Sequence, residues 1–275
     1  PLPLIRTSLL GTVGDTVVRR RIDPGVRGHN LAVSGASVGS LLRRMATATT
    51  VAQIDSETEL VLFPEVGSQI EVFERLAPEY AAIWIGNNNA LEAALSYDHL
   101  DGSQVTPADE FAQDFSEIVA RVEATGAKAA FGTIPDITSI GFLVGPGEVR
   151  QMLGDAYGLA DGDLTSLAAV YLVKLGLESP TLFLDPDFVL DAAEQATVRA
   201  NVAALNDVIR RTVAAHGFAL ADTARFFDAV QTSPLRILGV TLTTRFLGGL
   251  LSLDGVHPSN LGQGLVARLF IEALN

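Results

Sequence analysis

The sequence predicts an α/β fold, a three-layer α/β/α sandwich built around a central parallel sheet. Two patterns predict it: short apolar runs alternate with segments of helical periodicity, and some of these runs are nearly continuous. Residues 81–85 are apolar at every position and residues 128–134 are apolar apart from Lys128 and Thr133, and such runs are typical of parallel strands covered on both faces. The chain has 275 residues and is 48% hydrophobic, which is enough to fill one large core. We therefore expect a single domain over residues 1–275.

The first strand and helix are expected after an irregular lead-in over residues 1–30. Residues 31–33 predict a short buried strand, and residues 38–45 have the periodicity of a helix. The turn between them, residues 34–37, consists of small residues and would leave backbone N–H groups free at the helix start, where an anion or oxyanion can bind. A close-packed turn that needs small residues for steric reasons explains the same pattern.

The next pair of elements is a helix over residues 68–76 and a strand over residues 81–85, which we expect in the centre of the sheet. Asn87, Asn88 and Asn89 follow that strand, at the edge where open α/β sheets bind ligands. An asparagine amide can donate to a developing oxyanion without titrating. An asparagine-rich turn accounts for one or two of these residues, but not easily for three.

A long irregular segment interrupts the pattern after a helix at residues 106–125 and a strand at residues 128–134. This segment, residues 137–186, contains glycine-rich and proline-rich loops between short apolar pieces. Insertions of this length are uncommon in a compact α/β domain and are often functional. We expect a lid or a substrate wall, and two plain packing helices are the alternative.

The last third of the chain returns to regular elements. Asp191 and Glu194 form a capping box that opens a long helix over residues 192–216. Residues 235–251 are strongly apolar, which would suit an acyl-chain substrate but equally a core. The remaining elements are expected at residues 218–220 (strand), 224–230 (helix) and 260–274 (helix).

A carboxylate and a histidine stand three residues apart just before the closing helix, as Asp254 and His257. Nucleophilic hydrolysis needs a base with a pKa near neutrality, which histidine supplies, and a carboxylate to fix its tautomer and offset its charge. Gly255 permits a tight turn, and Pro258 delays the helix. An ordinary Asp-Gly turn that caps the closing helix is the alternative.

Composition excludes several classes of function. The formal net charge of −13 argues against nucleic-acid binding, and the absence of cysteine excludes disulfides and thiolate metal sites. The four histidines have no metal-ligand spacing, and no nucleotide-binding glycine motif is present, so we expect no metal and no cofactor. No apolar run is long enough for a membrane span. The chain begins with Pro1 and has no visible signal peptide, which indicates a processed or truncated product.

Three blocks, in order, resemble the SGNH/GDSL hydrolase superfamily. They are residues 30–37 (Asn-Leu-Ala-Val-Ser-Gly-Ala-Ser), 85–89 (Ile-Gly-Asn-Asn-Asn) and 254–259 (Asp-Gly-Val-His-Pro-Ser). The resemblance implies a flavodoxin-like α/β/α fold, with His257 as general base and Asp254 as its orienting acid. It also implies that the Asn88 side chain and the Gly35 N–H donate to the oxyanion. Asn89 stands where the family motif usually has an aspartate.

The family's Gly-Asp-Ser-Leu block, which carries the nucleophilic serine, does not precede residue 30. Three explanations stay open. The block lies upstream of Pro1, or Ser8 takes its place, or Ser37 does so on its strand-to-helix turn. If Ser37 is the nucleophile, residues 30–37 cannot also serve as the block that supplies the Gly35 N–H.

The resemblance implies a serine esterase or lipase-like acylhydrolase that acts on a small-molecule or lipid ester through an acyl-enzyme. A carbohydrate O-acetyl esterase would use the same residues, and an inactive relative that only binds a ligand would suit the missing serine block. The family also implies a bacterial exported protein, secreted, periplasmic or associated with the cell envelope.

Overall fold

The structure, a computed structural model, describes residues 29–95, 100, 104–237 and 239–275. These residues form two units. The first contains the described residues up to Ala81 together with Gln113–Ala129, and the second contains those of Ala82–Ala112 and Ala130–Asn275. The expectation of a single domain stays a prediction.

Helices and strands alternate along most of the described chain. The helices are α1 (Val38–Arg43), α2 (Glu57–Leu62), α3 (Gln69–Leu76), α4 (Asn87–Leu95), α5 (Ala108–Ala124), α6 (Pro146–Leu153), α7 (Leu167–Lys174), α8 (Ala192–Ala215), α9 (Thr223–Thr232) and α10 (Asn260–Leu274). The strands are β1 (Tyr80–Ile83), β2 (Lys128–Gly132), β3 (Leu143–Val144), β4 (Leu164–Ser166), β5 (Val189–Leu190), β6 (Ala219–Ala221), β7 (Leu235–Ile237) and β8 (Val240–Leu242).

The predicted α/β class with a parallel sheet is confirmed. Strands β1, β2 and β6 form one sheet in that order, and β2 runs parallel to β6 with Phe131 opposite Leu220. The last four residues of β2 are all buried. Because successive side chains of a strand point to opposite faces, both faces of β2 are covered.

The prediction that residues 81–85 form the central strand of this sheet was wrong. Among the described residues β1 ends the strand order, and β2 holds the centre. Strand β1 alternates between exposed and half-buried residues and stops at Ile83. The apolar run continues to Ile85, which is buried beyond the strand, at the entry to α4. A continuous apolar run therefore marked a strand and the turn after it.

Residues 31–33 form no strand, contrary to the prediction. Their carbonyl groups have other partners: Leu31 O accepts from Gln69 Nε2 at 2.7 Å, and Val33 O accepts from Ala36 N at 3.2 Å. The second bond closes a turn instead of continuing a ladder. Val33 is nevertheless buried, so its apolar character reflects the core of the first unit.

The predicted helices are found with small shifts at their ends. The capping box of Asp191 and Glu194 opens α8 as expected. Helix α1 ends at Arg43, two residues earlier than predicted, and α10 has the predicted bounds. Within the described residues, no helix combines the length and the apolar character needed to cross a membrane.

The insertion expected at residues 137–186 folds, together with residues up to Leu190, around a small apolar core. Strands β3, β4 and β5 form an antiparallel sheet in that order, with α6 and α7 packed together beside it. Its buried residues are Val144, Val149, Leu159, Leu167, Ala169, Val170 and Phe183. The segment is thus more than two packing helices, and its role as a lid stays a prediction.

Helix α10 packs on β6 and on the end of β2 at Gly132. A Cβ atom at Gly132 would lie 2.5 Å from the Trp84 ring and 2.9 Å from the Phe270 ring of α10, so the close approach requires glycine. This packing places the start of α10, and the loop before it, relative to the sheet.

Candidate active site

The Asp–His loop, residues Leu251–Ser259, is closed by backbone hydrogen bonds across its base. Ser252 N donates to His257 O at 2.7 Å, and Ser259 N donates to Leu250 O at 2.9 Å. Leu251 and Pro258 pair as an isolated antiparallel bridge. The loop is therefore a closed hairpin-like excursion, and its tip carries Asp254 and His257.

Asp254 holds His257 by the side chain and by the backbone. The carboxylate Oδ2 lies 2.7 Å from His257 Nδ1, and Oδ1 accepts from His257 N at 3.0 Å and from Val256 N at 2.9 Å. A carboxylate at Nδ1 favours the tautomer with its proton there, which leaves Nε2 free to act as a base. The His257 side chain is 66% exposed, so the ring is accessible.

Ser252 supplies the shortest hydrogen bond to this carboxylate, from its hydroxyl to Asp254 Oδ1 at 2.6 Å. Partial burial alone would raise the pKa of Asp254. The hydrogen bonds from the Ser252 hydroxyl, Val256 N and His257 outweigh it and lower the pKa from 3.8 to about 2. Asp254 is therefore ionised at neutral pH, as an orienting acid must be. The only sequence signal for this contact between Ser252 and Asp254 is their spacing, Ser-x-Asp.

Glycine is required at position 255. Its φ is +71°, and a Cβ atom there would lie 2.6 Å from Phe142 N. Phe142 N also donates to Gly255 O at 2.9 Å. The loop thus rests on Phe142, near the start of the insertion, a contact that no local sequence pattern indicates.

The cap of α10 separates the two interpretations of the Asp-Gly sequence. Ser259 is the N-cap residue, and its hydroxyl accepts from Gly262 N at 3.1 Å. Asp254 makes its turn bonds to Val256 and His257 with one oxygen and holds the imidazole with the other. An ordinary Asp-Gly turn or a helix cap makes the same two backbone bonds. What such a turn lacks is the contact of Oδ2 with His257 Nδ1, and the cap of α10 belongs to Ser259.

Asn88 lies in the first turn of α4, just beyond the end of β1, and is half-buried. Its neighbour Asn89 is 6% exposed, and Asn89 Nδ2 donates to Thr106 Oγ1 at 3.1 Å. Thr106 N donates back to Asn89 O at 2.9 Å. A threonine hydroxyl can donate or accept, so an aspartate at position 89 could form a hydrogen bond with Thr106 as Asn89 does. Gly86, with φ +107°, makes the turn into α4.

Gly35 and Ser37 belong to the first unit. Gly35 is exposed with φ +70°, in the turn before α1. Ser37 is the N-cap of α1; its hydroxyl accepts from Ser40 N at 3.2 Å, and Ser40 returns the bond in a capping box. These bonds give Ser37 a structural role as the cap of α1.

The structure brings Asp254 and His257 together and places Asn88 in the same unit. The assembly of Gly35 and Asn88 into an oxyanion hole stays a prediction. Ser8 and His99 lie outside the described residues. In the described ranges, no group of three or more histidine and carboxylate side chains is placed to hold a metal ion.

Comparisons with known proteins give no family for this chain. No protein-family model and no curated protein matches it. Among solved structures, the chain is similar to TesA, with 14% identity and a TM-score of 0.37, over 74% of this chain and 67% of that one. It is also similar to LAE5, an alpha/beta hydrolase enzyme from the metagenome of Lake Arreo in Spain, with 18% identity and a TM-score of 0.39 over the same shares. Likeness at this level carries no argument about function.

Proposed function

We infer that this protein is a serine-dependent esterase that cleaves carboxylic esters through an acyl-enzyme. One observation supports this more than any other: an ionised Asp254 bonded at 2.7 Å to Nδ1 of an exposed His257. Such a pair is the base and orienting acid of nucleophilic hydrolysis.

In the proposed reaction, His257 Nε2 takes the proton of a serine hydroxyl as its oxygen attacks the ester carbonyl. Asp254 offsets the charge that the imidazole gains. The Asn88 amide and the Gly35 N–H donate to the tetrahedral oxyanion. Collapse breaks the ester bond, and His257 returns the proton to the leaving alcohol. Water then repeats the sequence on the acyl-enzyme and releases the acid.

The nucleophile is Ser8, Ser37 or a serine upstream of Pro1. The capping bonds of Ser37 with Ser40 favour the other two, because a cap hydroxyl that turned towards a substrate would give up a helix-stabilising contact. An exported location belongs to the same proposal and is tested by fractionation of the producing cells.

A fluorophosphonate probe, followed by intact mass and peptide mapping, tests the proposal directly. We expect one adduct, and the peptide that carries it identifies the serine. Hydrolysis of p-nitrophenyl acetate and p-nitrophenyl octanoate then separates an O-acetyl esterase from an enzyme for longer acyl chains.

Two variants complete the test. His257→Ala should abolish both labelling and turnover, whereas His216→Ala, at the C-cap of α8, should keep both. A folded chain with no adduct and no turnover on either ester excludes Ser8 and Ser37 as nucleophiles. If a chain extended upstream of Pro1 is also unlabelled and inactive, the proposal is wrong and an inactive binding protein is favoured.

A further inference from the structure

Two leucines near the proposed catalytic pair are exposed at the tips of tight turns. Leu253 is 80% exposed and Leu247 is 69% exposed. Gly255 N donates to Ser252 O at 3.0 Å and closes the first turn; Gly248 N donates to Arg245 O at 2.9 Å and closes the second. A single exposed leucine is normal on a protein surface, so the exposure alone carries no conclusion.

Both turns rest on the same dipeptide, Gly141–Phe142. A Cβ atom at Gly141 would lie 2.8 Å from Phe246 N in the second turn, and one at Gly255 would lie 2.6 Å from Phe142 N. Because both turns contact the backbone of this dipeptide, the turns are neighbours. Leu247 and Leu253, which we call the leucine pair, therefore lie on adjacent turns, and Leu253 directly precedes Asp254.

Leu247 has a backbone conformation that glycine adopts more readily than leucine. Its φ is +59°, in the left-handed region that branched residues avoid. The two residues after it, Gly248 and Gly249, are of the type that adopts the left-handed conformation without strain, yet the chain has leucine at position 247. The side chain is also too exposed to stabilise a core. A strained residue that stays in contact with solvent next to a proposed catalytic loop points to a role in binding.

We propose that the leucine pair binds the acyl chain of the ester, so that the enzyme prefers medium-length apolar acyl groups to acetyl. This rests on the proposed function. Leu253 lies in the same loop as His257, so the leucine pair is close to the proposed base. An apolar acyl chain of a bound ester that reaches this loop would cover the leucine pair and remove both side chains from water.

The experiment compares the wild type with Leu247→Ser, Leu253→Ser and the double variant. Ile271→Ser is the matched control, because Ile271 is 60% exposed and lies about 16 Å along α10 from Asn260. Hydrolysis is measured for p-nitrophenyl acetate, butyrate, hexanoate and octanoate below their solubility limits. Binding of dansyl-undecanoic acid is measured by fluorescence, which does not depend on turnover.

For the leucine variants we expect kcat/KM on octanoate to fall about tenfold through a higher KM, with acetate within about twofold of wild type. The dissociation constant of the dansyl probe should rise about tenfold. Ile271→Ser should change neither. If the wild type hydrolyses no ester but binds the probe through the leucine pair, the proposed function fails and the acyl-chain site stands.

Three results would overturn the inference. In the first, octanoate and acetate fall equally, which assigns the leucines to loop structure. In the second, probe binding is unchanged while binding to phosphatidylcholine vesicles is lost, which assigns them to a lipid surface. In the third, probe binding is unchanged while a concentration-dependent dimer disappears, which assigns them to contact with a second copy.

Discussion

Replacement of Ser252 by alanine removes one hydrogen bond from Asp254 and leaves the rest of the Asp–His loop in place. The lost bond is the 2.6 Å contact to Oδ1; the bonds from Val256 N, His257 N and His257 Nδ1 remain. A hydrogen bond to a charged group contributes about 1.5–3 kcal/mol. The Asp254 side chain is 48% exposed, and water can replace part of that bond. We therefore expect the free energy of unfolding to fall by about 1 kcal/mol.

The effect on catalysis should exceed what this loss of stability explains. Without the Ser252 hydroxyl the carboxylate is held by three hydrogen bonds instead of four, and the pKa of Asp254 should move from about 2 back towards 3.8. A carboxylate that is held less tightly positions the imidazole less accurately, and small misplacements of a catalytic group are costly. We expect kcat on p-nitrophenyl esters to fall about tenfold with little change in KM, and Ser252→Thr to restore most of it.

Ser259→Ala is the matched control for this prediction. The Ser259 hydroxyl donates to Gly249 O at 2.7 Å and accepts from Gly262 N at 3.1 Å, so its loss removes a helix cap in the same loop. Loss of such a cap costs about 1 kcal/mol, yet it leaves the contacts of Asp254 intact. Urea unfolding, steady-state kinetics and a carboxyl NMR titration of Asp254 give the three readouts. Equal kcat in Ser252→Ala and Ser259→Ala, at equal loss of stability, would refute the positioning role.

Three further predictions concern single groups of the site. Asn88→Ala should lower kcat about a hundredfold or more without a change in the urea midpoint, whereas Asn87→Ala should stay within about twofold; comparable loss in both would mean damage to α4. Gly255→Ala should lower the free energy of unfolding by about 3 kcal/mol, because a positive φ and the contact with Phe142 both oppose a side chain. The control is Gly264→Ala, in open space on α10, which should stabilise the protein slightly. If Gly255→Ala leaves the free energy of unfolding unchanged, the contact with Phe142 is contradicted. The folded-state pKa of Asp254 lies below 3.8, so the ionised carboxylate stabilises the folded protein. Its contribution to the free energy of unfolding, about 1 kcal/mol after allowance for solvent screening, is present above about pH 4 and is lost as the pH falls towards 2. Urea unfolding across that range should show a smaller decline in the free energy of unfolding for Asp254→Asn than for the wild type.

The sequence was most informative where the chemistry is local. Asp254 and His257 are three residues apart with a glycine between them, so a single turn decides whether they meet, and they do. The bounds of α8 and α10 followed from caps and periodicity for the same reason. Local patterns do not contain the order of strands in a sheet. The run at residues 81–85 is as apolar as β2, yet only β2 lies between two described strands.

Contacts that join distant parts of the chain could not be predicted. Phe142 and Gly255 are far apart in sequence, and neither residue type indicates the 2.9 Å bond between their backbones. Ser252 is a different case, because its role depends on a side-chain rotamer, which spacing alone does not determine.

Phe142 links the insertion to the Asp–His loop through both of its backbone groups. Its N–H donates to Gly255 O at 2.9 Å, and its carbonyl accepts from Leu167 N, at the start of α7, at 2.8 Å. Its side chain packs on the core of the insertion, as does that of Phe246. A displacement of α7 would pull on Phe142 and therefore on Gly255, the residue between Asp254 and His257. The position of the insertion and the geometry of the Asp–His loop are thus not independent.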